Sequence, residues 1–92
     1  NPGSTGLLVC GTGLGMSMAA NKYPGIRAAL CQDEEMARLA KEHNNANVLV
    51  FGEKVPPDRA LSMVRTWIAA EFMGGKHQRR IDKIDTLPSE LK

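Results

Sequence analysis

The sequence predicts an α/β fold, a parallel sheet with helices on both faces. Three observations point to it. Apolar runs recur at Thr5–Cys10, Ile26–Cys31 ("IRAALC") and Ala46–Phe51 ("ANVLVF"). Each run is apolar throughout rather than alternating, the pattern of strands covered on both faces. A helix-like segment follows each one, and strands alternating with helices assemble through right-handed crossovers into a parallel sheet.

The elements follow in order. After the first run, Gly11, Gly13 and Gly15 alternate with Thr12 and Leu14, and Met16–Lys22 is expected to be a short helix ended by Pro24-Gly25. The second helix is expected over about residues 33–43. Asp33 is a good N-cap, and Glu34 and Glu35 lie where the helix dipole favours acids. Met36, Leu39, Ala40 and His43 fall on one face, and Asn44-Asn45 is a suitable stop. Pro56-Pro57 leads into a third helix, about Asp58–Phe72, whose apolar stripe is Leu61, Val64, Ile68 and Phe72. Gly74-Gly75 breaks it. A basic helix, "KHQRRIDKIDTL", then runs over about 76–87 with Ile81 and Ile84 on one side and ends before Pro88. The five methionines are expected in the core. There is no internal repeat and no low-complexity segment.

At 92 residues the chain is one small domain. With 12 basic and 10 acidic residues the charge is balanced, which argues against a nucleic-acid binder. No apolar run nears the roughly 20 residues that cross a bilayer, so no membrane association is expected. Cys10 and Cys31 fit neither a metal spacing nor a disulfide framework, and two thiols suit a reducing cytoplasm. A three-stranded sheet leaves open edges, so association with another chain or part is expected.

Chemistry concentrates at three places. "CGTGLGM" stands where a strand enters a helix, the position at which α/β sheets bind ligands and N–H groups face anions. Its G-x-G-x-G spacing is one residue short of the dinucleotide fingerprint, and it lacks the lysine of a nucleotide loop. It reads either as a tight turn or as an anion cradle. Cys10, at its lip, is either a core thiol or a thiolate activated by the helix start, whereas Cys31 has no such loop and reads as core. His43 is either a helix C-terminal residue favoured by the dipole or an acid–base group. Lys76, His77, Arg79 and Arg80 are either a solvated face or a phosphate clamp.

Together, "LLVCGTGLGMSMAANKYPGIRAALC", "KEHNNANVLVFG" and "GGKHQRRIDKI" closely resemble the successive signature blocks of the ribose-5-phosphate isomerase B family, which also includes galactose-6-phosphate isomerase subunits. The likeness runs from about Gly6 to Ile84. It implies a three-layer Rossmann-like sheet and an aldose–ketose isomerase of the pentose phosphate pathway, acting on ribose 5-phosphate without metal or cofactor. Cys10 would be the base that moves the proton between C1 and C2. Gly11, Gly13, Leu14 and Gly15 would supply the enediolate cradle. Thr12 and His43 would assist ring opening, and Asn44 would bind sugar hydroxyls. Lys76, where the family commonly has arginine, and Arg80 would hold the phosphate, with His77 beside them.

Members of that family carry a further N-terminal βαβ portion with an Asp-His pair that nothing here matches. The resemblance therefore implies a single partial domain over residues 1–92, truncated at the N-terminus, with room for a separate N-terminal piece. It also implies a homodimer or higher oligomer with active sites shared between subunits, His43-Asn44 and the basic C-terminal helix crossing to the Cys10 loop of the partner subunit. Two rival readings follow: a non-catalytic phosphosugar-binding or assembly fragment, and an isomerase of a six-carbon sugar phosphate such as allose 6-phosphate.

Overall fold

The computed structural model describes residues 4–90, with side chains through Asp85. Asn1, Pro2 and Gly3, which the sequence would make a turn, lie outside the described residues. Seven elements follow one another: β1 Gly6–Cys10, α1 Leu14–Ala20, β2 Ala28–Leu30, α2 Glu34–Asn44, β3 Val48–Gly52, α3 Pro57–Ala69 and α4 Lys76–Glu90. The strands form one parallel sheet in the order β1-β3-β2. The expected α/β class, with all three strands, is therefore present.

β3 is central because both of its faces are apolar. Leu49 and Phe51 join Ala37, Ala40, Met63 and Trp67 in the core on one side. On the other side Val48 and Leu8 line one cleft with Met16, Ala19 and Ala20 of α1. Thus α2 and α3 cover one face and α1 the other. β2 is shorter than its apolar run, but the flanks stay tied. The Cys31 N–H donates to the Val50 carbonyl (2.9 Å), and the Asn47 side chain accepts from the Arg27 N–H (2.8 Å) and donates to the Gly25 carbonyl (2.8 Å).

α2 starts where its sequence directs. The Asp33 carboxylate accepts from the Met36 N–H at 2.8 Å, a cap worth about 1 kcal/mol. The helix stops at Asn45, which takes the left-handed conformation (φ 48°). Arg38 pairs with both Glu35 and Glu42 along the exposed side.

Several buried faces differ from expectation. α2 buries Ala37 and Ala40, whose small side chains let it lie close to its neighbours, and this turns Met36 outward. In α3 the stripe through Leu61 and Ile68 is exposed. The helix carries a second row at the same spacing, Ala60, Met63, Val64 and Trp67. It buries that one, because Trp67 and Met63 remove more apolar surface from water. The Trp67 indole N–H donates to the Ala46 carbonyl (3.2 Å). Of the methionines only Met63 is buried; Met16, Met18, Met36 and Met73 are exposed.

Phe72 lies beyond α3, which ends at Ala69 with Ala70 extended. The chain turns there so that the Met73 N–H reaches the Glu42 carbonyl (2.9 Å). α4 packs on α2, burying His77 and Ile81, while Ile84 stays exposed. It also runs on through Pro88 to Glu90, since a proline in the last turn forgoes a single hydrogen bond and leaves the earlier ladder intact. Among the described residues no helix is long and apolar enough to cross a membrane.

Candidate functional site

The carboxyl ends of β1 and β3 form the floor of the first candidate region. Gly13 caps α1 in the left-handed conformation (φ 84°). It is buried so tightly that a Cβ would lie 2.5 Å from Leu30 Cδ1 and 3.3 Å from the Phe51 carbonyl carbon. Gly52 meets the same loop from β3, where a Cβ would come 2.9 Å from the Gly11 carbonyl oxygen. The Glu53 N–H donates to the carbonyls of Cys10 (2.8 Å) and Gly11 (3.1 Å), fixing the turn from below.

The start of α1 is thus held open to solvent. Thr12 Oγ1 accepts from the Leu14 N–H at 3.2 Å, and Ser17 closes the first turn by donating to the Leu14 carbonyl (2.8 Å). The next N–H groups, of Gly15 and Met16, have no intrahelical acceptor at a helix start. Cys10, the last residue of β1 and the one that leads into this loop, is a free, half-buried thiol. A thiol at the foot of a helix start has the chemistry to move a proton, and unpaired N–H groups have the chemistry to hold an oxyanion. Cys31 has no such surroundings. It is buried, and burial first, then the charge of Asp33, pushes its thiol up to about 11, which keeps it protonated.

A cleft of about 560 Å3 opens beside this loop, lined by Gly11, Thr12, Gln32, Lys54 and Arg59. Sequence reading did not single out Gln32, Lys54, Arg59 or Glu53. They follow β2 and β3 as isolated polar residues, and only the sheet order brings them to the glycine turn. Gly52 carried a usable signal, since a glycine closing an apolar strand marks close backbone approach.

The second region lies at the other end of the sheet. α2 returns antiparallel to the strands, so His43 and Asn44, at its last turn, stand near the amino ends of the strands. Cys10 is four residues along β1 from that end, about 13 Å. α4 begins beside them. The His43 and His77 rings stack with centroids 4.3 Å apart and planes 8° from parallel. His77 is 6% exposed. Its imidazole is held below its ordinary pKa by burial first, then by the charges of His43, Lys76 and Arg80. Lys76, Arg79 and Arg80 are exposed around it. An imidazole, an amide and two cationic side chains on neighbouring helix turns suit a phosphorylated, hydroxyl-bearing ligand.

The fold therefore groups the sequence-selected residues in two sets. Cys10, Gly11, Thr12, Gly13, Leu14 and Gly15 share one end; His43, Asn44, Lys76 and Arg80 share the other. Strand and return-helix topology keeps the sets apart within one chain. His77 joins the second set as a buried residue. Its spacing four residues before Ile81 was the available signal for that.

Residues 1–84 match the family model described as Ribose/Galactose Isomerase. The chain is 45% identical over 83 residues to ribose-5-phosphate isomerase B of Escherichia coli, covering 89% of this chain and 56% of that protein. Ribose-5-phosphate isomerase B of Clostridium thermocellum has the same fold, with TM-score 0.90 and 52% identity over 96% of this chain and 60% of that one. The Mycoplasma genitalium enzyme, solved with bound ribulose-5-phosphate, superposes with TM-score 0.89 and 46% identity over 94% of this chain and 57% of that one. The chain thus spans somewhat more than half the length of each of these relatives. The matched model runs from the first strand into the last helix, and the same fold recurs at these identities. On that ground the chain belongs to the ribose/galactose isomerase family.

Proposed function

We propose that this chain takes part in the interconversion of ribose 5-phosphate and ribulose 5-phosphate. The observation that carries the reading is the free, half-buried Cys10 thiol at the lip of a turn that only glycine at position 13 permits. A solved relative with bound ribulose-5-phosphate supports the substrate class.

The chemistry follows from the groups. His43, as acid, gives a proton to the ring oxygen, the C1 hydroxyl passes its proton by way of the Thr12 hydroxyl to solvent, and the furanose opens. The Cys10 thiolate takes the C2 proton from the open aldose. The resulting enediolate is held by N–H groups of the loop Gly11–Gly15. The O2 proton passes to O1, and Cys10 returns its proton to C1, giving the ketose. Asn44 binds sugar hydroxyls, and Lys76 and Arg80 hold the phosphate, whose binding energy orients the reacting carbons. The free thiols favour a cytoplasmic setting.

One copy separates Cys10 from His43, so we assign the working site to two copies, each lending one end. The C-terminal helix, with exposed Ile84, Arg79 and Arg80, is the surface proposed to reach the partner. The same separation favours a second reading, a phosphosugar-binding piece without turnover. The test is ketose formation from ribose 5-phosphate by the full chain over a range of protein concentrations, with calorimetry in parallel. Turnover that rises with association supports the shared site. Phosphosugar binding with no turnover at any concentration supports the second reading.

A further inference from the structure

Among the described residues His77 is the one buried polar residue, and the proposed chemistry leaves it without work. It is the second residue of α4, one past Lys76, which follows Gly74 and Gly75, both left-handed (φ 69° and 56°), and its N–H donates to the Gly74 carbonyl (3.0 Å). That double-glycine turn is tied to α2 on its other side by the bond from the Met73 N–H to the Glu42 carbonyl (2.9 Å). The backbone is thereby fixed within one residue of His43 and within four of His77. The two rings then meet face to face at 4.3 Å.

Among the described residues neither ring takes part in a hydrogen bond. A histidine at a helix end without a hydrogen bond would sample several rotamers. The stack is what restricts it. We propose that His77 is a positioning residue: its buried ring holds the imidazole of His43 in one orientation, leaving Lys76 and Arg80 to face the ligand. The proposal rests on the reading of His43 as the ring-opening acid. It takes His77 out of the phosphate clamp, because its ring lies flat on His43 and the residue is 6% exposed, whereas Lys76 and Arg80 are exposed.

The test compares His77→Ala and His77→Phe in the full chain. Phenylalanine keeps a flat ring at the same place and cannot titrate. The His43 ring protons are observed by NMR, and ribose 5-phosphate turnover is measured. In His77→Ala the His43 ring resonances should move downfield as the stacked ring is lost. kcat should fall about tenfold or more, as expected when an acid group is misoriented, with KM changed less than about twofold. His77→Phe should keep the ring-current shift and bring kcat back to within about threefold of the parent. A KM rise that outweighs the kcat loss would return His77 to the clamp and overturn the proposal. So would a failure of phenylalanine to rescue, since the imidazole itself would then be needed. If the parent chain has no isomerase activity, the proposed reaction falls. The NMR comparison then decides alone, and unchanged His43 resonances in His77→Ala refute the positioning role.

Discussion

Gly13 and Leu30 are in such close contact that a single added carbon on Gly13 would lie 2.5 Å from Leu30 Cδ1. Leu30 can swing away, but the Phe51 carbonyl carbon and the Gly52 nitrogen, at 3.3 and 3.4 Å, are backbone and cannot. The residue also sits at φ 84°, where a side chain is strained. Gly13→Ala should therefore cost about 2 kcal/mol or more, through strain and displacement of the loop together. Denaturant unfolding measures it. A loss below about 0.5 kcal/mol would show that the turn does not depend on glycine there.

The two thiols should behave differently. Cys31 is enclosed, and burial and Asp33 raise its pKa to about 11, whereas Cys10 reaches solvent at the loop. Iodoacetamide at pH 7.5 should label Cys10 well before Cys31, as read by peptide mass spectrometry. Cys10→Ser should lower kcat by about 100-fold or more, the scale of a lost general base, while phosphosugar affinity is kept. Retained turnover would mean that another residue is the base.

Much of this architecture was legible in the sequence because the signals were local. Continuous apolar runs marked the strands, Asp33 marked the start of α2, and Asn45 supplied its left-handed stop. What misled was periodicity without a side. α3 has two apolar rows at helical spacing, and only the sheet it packs on selects Met63 and Trp67 over Leu61 and Ile68. Burial of His77 was masked by its cationic neighbours. The resemblance implied that His43 crosses to the Cys10 loop of a partner subunit, and the return path of α2 gives the physical reason why the two residues stand at opposite ends of one sheet.

Acid should loosen the contact between α2 and α4. In the folded chain His77 is held below its ordinary pKa by burial and by the facing charges of His43 on α2 and of Lys76 and Arg80 on its own helix. The unfolded chain therefore binds a proton at His77 at higher pH than the folded one. Stability should be constant above about pH 6.5, the ordinary histidine value, and fall as the pH drops below it. Unfolding midpoints at pH 7.5 and 5.5 measure the effect, with His77→Phe as the control expected to flatten it. An equal acid loss in both proteins would assign the sensitivity elsewhere.

Opposite placement of the two residue sets leads to a complementation test. Cys10→Ser and His43→Ala should each lack most activity alone. If each working site takes Cys10 from one copy and His43 from another, a mixed dimer contains one doubly impaired site and one with both residues intact. Random reassociation of equal amounts makes half of the dimers mixed, so activity should return to about a quarter of the parent level. The mixture is unfolded and refolded together, then assayed with ribose 5-phosphate against each variant refolded alone. Were Cys10 and His43 to act within a single copy, mixing would restore nothing. Activity of the mixture equal to the average of the two variants would therefore refute the shared site.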